Sequence, residues 1–235
     1  MLRPASRALC PARRGSNISA MKTSHTAISN RQPSAASYLT GLILAGGESS
    51  RLGRDKTVLV HEGQTLLERS SGLLSRHCAP VFISCRHPQT IHLDMPIIVD
   101  QTPRVGPVGG IVTALRQLKR PLFVLACDQP FLRDSFITRL MAAREERPGH
   151  CVMTTWLQQR TGFIEALVAI YEPAVLPLLE DGLARHEYKL SRLVPERLRH
   201  HLPYGEEDEP FFFNINFPSE EHTSELQSHQ PISYA

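Results

Sequence analysis

The residues best equipped for chemistry lie in one run, Gly41-Leu42-Ile43-Leu44-Ala45-Gly46-Gly47-Glu48-Ser49-Ser50-Arg51-Leu52-Gly53-Arg54-Asp55-Lys56. A short apolar strand breaks into a glycine-bearing loop and then into cationic side chains. Gly46-Gly47 permits positive φ and lets main-chain N–H groups come close to a ligand, because no Cβ intervenes. Successive N–H groups in such a turn make a concave anion site, and Arg51, Arg54 and Lys56 add positive charge around it. The chemistry this predicts is a phosphate cradle. Two familiar phosphate loops are excluded by spacing. In a Walker A loop four residues separate the glycines and Lys follows the second directly; here five residues separate Gly47 from Gly53, and Arg54-Asp55 precedes Lys56. The Gly-x-Gly-x-x-Gly pattern of dinucleotide-binding domains is absent.

Three more segments carry polar residues at the ends of apolar runs. Asp100 follows Met95-Pro96-Ile97-Ile98-Val99, and Cys127-Asp128-Gln129-Pro130 follows Leu122-Phe123-Val124-Leu125-Ala126. A carboxylate at the end of so apolar a strand needs a partner or a cleft. For Asp100 a turn-forming role is the competing explanation. Gly106-Pro107-Val108-Gly109-Gly110 leads toward a helix expected to begin near Ile111, whose first N–H groups are a potential ligand site. Asn214 and Asn216, two apart on an expected strand, project from one face, with Phe211, Phe213, Ile215 and Phe217 on the other.

The glycine-cation run resembles the signature of the molybdenum cofactor guanylyltransferases, Leu-Ala-Gly-Gly-x-Ser-x-Arg-Met-Gly-x-Asp-Lys, with Leu52 in place of Met as the one departure. The family's Gly-Pro-Leu-x-Gly is present at Gly106–Gly110 with Val108 for Leu. Its Cys-Asp-x-Pro is intact at Cys127–Pro130. Its Asn-x-Asn-Thr-Pro is present at Asn214–Pro218 with Phe217 for Thr, which removes a hydroxyl. The resemblance covers about residues 41–219. It implies a three-layer, Rossmann-like nucleotidyltransferase fold, and transfer of GMP from GTP to the terminal phosphate of molybdopterin with release of pyrophosphate. It further implies Arg51, Lys56 and Asp128 as catalytic groups. GTP would be bound by Leu44, Ala45, Gly46, Gly47, Lys56, Asp100 and Asp128, and Asp128 would hold Mg²⁺. Asn214 and Asn216 would bind molybdopterin, and molybdoenzymes or cofactor-delivery proteins would receive the product. Relatives that use cytidine tend to carry Leu-Ala-Ala-Gly, so Gly46 favours guanine; a cytidylyltransferase of the same fold is the alternative. A non-catalytic nucleotide-binding regulator is the alternative from another class, against which Lys56 and Asp128 speak.

The elements that must position these residues follow from periodicity. Strands are expected at Leu42–Ala45, Val81–Ser84, Ile97–Val99, Leu122–Ala126, Val152–Thr154, Glu165–Tyr171 and Phe211–Asn216. Helices are expected at Thr65–Arg76, Gly109–Lys119, Asp134–Arg147 (with Asp134 as N-cap), Pro173–Asp181 and Lys189–Leu193. Short buried strands alternating with helices predict a three-layer α/β domain with a mostly parallel sheet, whose ligands gather at the carboxyl ends of the strands. Glu206-Glu207-Asp208-Glu209 is expected as a solvated loop, and His186, His200 and His201 as surface residues without metal-ligand spacing.

Composition bounds the rest. The 235 residues, 41% of them hydrophobic, suffice for one sizeable core. The formal net charge is +3, but Arg3, Arg7, Arg13, Arg14, Lys22 and Arg31 give the first forty residues +6 with no acid, so the remainder carries −3. That balance argues against nucleic acid as the partner of the globular part. No apolar run has the length of a membrane span. The five cysteines, none in Cys-x-x-Cys spacing, suggest neither a disulfide framework nor zinc and fit a reducing, cytoplasmic setting. Cys127 is expected as a small buried strand-end residue. Residues 1–39, acid-free and rich in Ser, Ala, Arg and Pro, are expected to be disordered. They suit either a transit peptide or a start placed too early, with Met21 as a later initiation point. Residues 40–220 are the expected nucleotidyltransferase domain. Residues 221–235 look like translated sequencing-adaptor sequence rather than native protein.

Overall fold

The computed structural model describes residues 39–45, 59–102 and 105–214, all within one compact unit, Ala35–Ala235. Nine strands occur among the described residues: β1 (Thr40–Leu44), β2 (Val60–His61), β3 (Gln64–Thr65), β4 (Val81–Cys85), β5 (Ile97–Val99), β6 (Leu122–Ala126), β7 (Met153–Gln158), β8 (Ile164–Tyr171) and β9 (Arg199–Tyr204). Seven of them form one sheet in the order β5-β4-β1-β6-β8-β7-β9, while β2 and β3 make a separate hairpin. Within the large sheet only β8 runs antiparallel to its neighbours, β6 and β7. The mostly parallel α/β architecture expected from the sequence is therefore present.

Every residue of β1 and of β6 is buried, which is why both stretches are continuously apolar rather than alternating. Helices α1 (Leu66–Ser75) and α3 (Asp134–Glu146) cover one face of the sheet, packing on Ile43, Phe123, Leu125 and Trp156. Helices α2 (Pro107–Leu118), α4 (Leu176–Ala184) and α5 (Leu190–Leu193) lie on the other, over Leu42, Leu44, Leu122 and Val124. Alternate residues of β1 and β6 thus feed opposite layers. Helix α1 starts at a capping box: Glu68 N–H donates to Thr65 Oγ1 at 3.1 Å and Thr65 N–H to Glu68 Oε2 at 2.7 Å. A buried fork ties α3 to the end of β8, with Arg144 Nε and Nη2 donating to the two oxygens of Glu172 at 2.7 and 3.2 Å.

Several expectations are corrected. The segment expected as a strand at Phe211–Asn216 is a 3₁₀ turn over Glu206–Phe212, followed by irregular chain at Phe213 and Asn214; residues 215 and 216 lie outside the described residues. Phe212 enters the core against Phe136, Trp156 and Tyr204, whereas Phe213 is exposed. The turn sends two adjacent rings, Phe211 and Phe212, onto Phe136, whereas a strand would have sent alternate ones. The acidic stretch is therefore part of that turn: Gln158 Nε2 donates to Glu209, and Arg160 lies 2.9 Å from Glu206. Strand β9 was not expected. His200 and His201 sit on it half-buried, while His186 is exposed as expected. Asp134 is not an N-cap. It occupies the first turn of α3 and its carboxylate meets Arg76 Nε and Nη2 at 2.8 and 2.9 Å. Among the described residues no helix is long and apolar enough to cross a membrane.

Candidate functional site

The parallel strands bring their carboxyl ends to one edge of the sheet. Leu44 is the last residue of β1, and Ala45 N–H donates to the Ser84 carbonyl at 2.9 Å. Beyond Ala45, Gly46, Gly47, Arg51 and Lys56 lie outside the described residues. Asp100 directly follows β5, with its N–H bonded to the Cys85 carbonyl at 2.9 Å. Its Oδ1 accepts from Thr102 N–H at 2.9 Å, so the turn-forming role considered for it is present.

Helix α2 starts at Pro107, two residues before the expected Gly109–Lys119 helix and four before Ile111, so Gly109 and Gly110 lie in its first turn. Gly106, at φ +69°, occupies the left-handed region that turns the chain into the helix. Gly109 and Gly110 serve close approach. A Cβ on Gly109 would stand 2.9 Å from Asp100 Oδ2, and one on Gly110 would stand 2.5 Å from Ser84 Oγ. The glycines thus let the positive end of α2 press against the Asp100 carboxylate and the end of β4. Leu44, Ser84, Cys85, Arg86, Asp100, Gly106, Pro107 and Gly110 line a small cleft there. Ser84 and Arg86 were not anticipated. Only their position just inside and just after an apolar strand signalled them.

Two strands away from β4, Asp128 follows β6 and is half-buried. The turn carrying it is held on both sides. Cys127, buried as expected, donates its N–H to the Leu44 carbonyl at 3.2 Å and accepts from Ser70 Oγ at 3.4 Å. Arg69 Nε donates to the Pro130 carbonyl. Asp128 is therefore fixed to the end of β1, the strand that feeds the glycine loop. Among the described residues no group of three or more His, Cys, Asp or Glu could hold a metal ion. A single strand-end carboxylate suits Mg²⁺, which completes its shell with phosphate oxygens and water, and does not suit zinc.

Past β6 the same edge carries Glu165, which the sequence did not single out, together with Gln158 and Asn214. Glu165, near the start of the antiparallel β8, is buried, and its Oε1 accepts from Tyr204 O–H at 2.5 Å. Burial raises its carboxyl above the ordinary value, partly opposed by that bond. Gln158 ends β7 and accepts from Thr161 N–H. Asn214 is half-buried, and its Oδ1 is buried with no hydrogen-bond partner among the described residues. Asn216 lies outside the described residues. A lone acid in the apolar run Phe163–Tyr171 was the available signal for Glu165. Trp156, on β7, is fully buried against Phe212 and Tyr204.

The model of the MobA-like NTP transferase domain matches residues 41–202. A probable molybdenum cofactor guanylyltransferase from Carboxydothermus hydrogenoformans is 29% identical over 188 residues, covering 77% of this chain and 92% of that one. A molybdenum cofactor biosynthesis bifunctional protein from Synechocystis is 35% identical over 145 residues, covering 60% of this chain; the match spans only 41% of that longer protein. Among solved structures, molybdopterin-guanine dinucleotide biosynthesis protein A from Archaeoglobus fulgidus superposes with a TM-score of 0.62 at 24% identity, covering 77% of this chain and 93% of that one. A Mycobacterium tuberculosis protein solved with manganese superposes at 0.53 with 14% identity, covering 72% and 89%. With a family match spanning well over half its length, the chain belongs to the MobA-like NTP transferase domain family, a family of nucleotidyltransferases.

Proposed function

We propose that this chain transfers GMP from GTP to the terminal phosphate of molybdopterin, forming the guanine dinucleotide form of the molybdenum cofactor. The observation that carries the reading is the placement of Asp100. Its carboxylate lies against the glycine-built start of α2, in a cleft that opens at the end of the strand leading into the phosphate-cradle sequence. Guanine presents adjacent N–H and NH₂ donors that match a carboxylate, whereas adenine and cytosine each pair their amino group with a ring-nitrogen acceptor. The name carried by the relatives points to the same base.

In this reading a phosphate oxygen of the acceptor attacks the α-phosphorus of GTP. The new P–O bond forms as the bond to the bridging α–β oxygen breaks, and pyrophosphate leaves with that electron pair. The nucleophile is already an anion, so no general base is required. Gly46 and Gly47 offer N–H groups to the phosphates, and Arg51 and Lys56 hold their charge. Asn214 and Asn216 orient the acceptor. Asp128 would hold Mg²⁺, which would neutralise charge on the phosphates. Catalysis then rests on positioning and charge compensation.

The test is a melting experiment with GTP, CTP and ATP, each with Mg²⁺, paired with pyrophosphate release in the presence of molybdopterin. GTP raises the melting temperature selectively, through binding to the folded state. Equal shifts for the three nucleotides would remove the guanine assignment. A selective CTP shift would make the chain a cytidylyltransferase. A GTP shift without pyrophosphate release would favour a non-catalytic regulator.

A further inference from the structure

The Glu165 carboxylate is costly where it stands. It is only 8% exposed, and its sole described side-chain partner is the neutral hydroxyl of Tyr204. A glutamine would accept the same hydrogen bond without a buried charge. Packing and this hydrogen bond therefore do not by themselves account for a carboxyl rather than an amide at this position.

Its position indicates which use. Strand β8 runs antiparallel to β6, with Leu125 opposite Val168. Because β8 runs opposite to β6, its beginning at Ile164 and Glu165 lies toward the edge of the sheet at which β6 ends and Asp128 follows. The carboxyl ends of β7 and β9, at Gln158 and Tyr204, lie at the same edge, since β9 pairs in parallel with β7. Two large apolar side chains are exposed nearby in sequence: Phe163, two residues before Glu165 at 59%, and Phe213, next to Asn214, at 54%. Asn214 adds a buried amide oxygen without a donor among the described residues. This flank of the edge thus carries an anchored carboxylate and a buried amide oxygen, each with an exposed aromatic residue close to it in sequence, and β8 lies across β1 and β6 from the strand that precedes Asp100.

We propose that Glu165, oriented by Tyr204, is a specificity-determining residue for the acceptor, taking the adjacent ring N–H and 2-amino group of a pterin. The choice of heterocycle rests on the nucleotidyl-transfer reading above. A carboxylate can accept both donors of that edge at once, and an aromatic side chain can stack on the flat bicycle. A site built to receive donors discriminates strongly against an analogue that lacks one, because its buried acceptor is left unsatisfied.

The experiment measures binding of the fluorescent 6-hydroxymethylpterin and of lumazine, which has a ring carbonyl where pterin has the 2-amino group. Wild-type protein, Glu165→Gln and Tyr204→Phe are compared, with melting checked for each. Wild type should prefer the pterin by about tenfold or more. Glu165→Gln should abolish the preference and Tyr204→Phe should reduce it. In turnover, Glu165→Gln should raise the KM for molybdopterin by about tenfold while the KM for GTP stays within about twofold. Equal affinity of wild type for the two heterocycles, no pterin binding, or an undiminished preference in Glu165→Gln would each overturn the proposal. If the variant fails to fold, the wild-type preference still decides. The pterin measurement needs no GMP transfer, so failure of the nucleotide reading shows separately, in the GTP melts.

Discussion

Gly110 lies directly on Ser84: a Cβ at position 110 would stand 2.5 Å from Ser84 Oγ and 3.2 Å from Leu44 Cδ2. The helix that frames the candidate nucleotide cleft therefore approaches the sheet as closely as a backbone allows. Gly110→Ala should destabilise the protein by about 1–3 kcal/mol, the usual cost of overfilling a packed contact. Ser84→Ala removes the hydroxyl that the new methyl would strike. The double variant should recover most of the loss. A double-mutant cycle from denaturant melts checks this, and simple additivity would show that Gly110 matters for another reason.

What the sequence made legible depended on how each element is buried. Strands β1 and β6 were placed to within a residue or two because burial on both faces makes them continuously apolar. Strand β9, Arg-His-His-Leu-Pro-Tyr, went unseen because it is an edge strand, paired only with β7 and half-buried along most of its length. The β2–β3 hairpin carried its signal in Glu62-Gly63, both at positive φ in a two-residue turn. The phenylalanines near position 212 correctly announced burial but not its period, because the 3₁₀ turn sends the adjacent rings of Phe211 and Phe212 to Phe136 where a strand would have sent alternate ones. At the candidate site, Asp100 and Asp128 were singled out from apolar runs whose ends they do follow in the structure. Glu165 was hidden at the beginning of a strand, and only the antiparallel direction of β8 brings that beginning to the same edge.

Glu165 should also reveal itself through pH. Burial holds its folded pKa above the ordinary value. The folded state therefore disfavours the ionised form: the carboxylate costs stability as pH rises from the unfolded value through the folded one, and costs nothing below the unfolded value. Glu165→Gln should melt higher than wild type at neutral pH, with the difference shrinking as pH falls toward about 4. A variant that melts lower than wild type throughout would mean that the charge itself supports the fold. A gain in stability joined to a loss of pterin selectivity is the pattern of a residue kept for function.

The opposite sign holds for Asp134. The hydrogen-bonded guanidinium of Arg76 is the main cause that lowers its carboxyl to about 2, with His77 adding to the effect. This pairing stabilises the fold above the ordinary carboxylate value and is lost as pH falls through about 2. Both side chains are about half exposed, so water and salt weaken the pair, and its contribution should stay at about 1 kcal/mol or less. Acid melts of Asp134→Asn should show a shallower loss of stability between about pH 4 and pH 2, and added salt should narrow the gap from wild type. A gap unchanged by salt would point to packing rather than charge.

Asp128→Asn is the sharpest test of the candidate site. The change preserves size and shape while removing the charge proposed to hold Mg²⁺ against the phosphates. The turn around it is secured by Cys127 N–H on the Leu44 carbonyl and by Arg69 on the Pro130 carbonyl, neither of which involves the Asp128 side chain. Stability should therefore change by less than about 1 kcal/mol, whereas turnover should fall about 10²-fold or more, the scale of losing one well-placed electrostatic group. Lys56→Ala should instead weaken GTP binding, because the role proposed for its charge is to meet the nucleotide in the ground state as well as during reaction. Measuring turnover, GTP affinity and melting for both variants separates the two roles. Wild-type turnover in Asp128→Asn across Mg²⁺ concentrations would make this aspartate a structural residue and move the chemistry elsewhere along the edge.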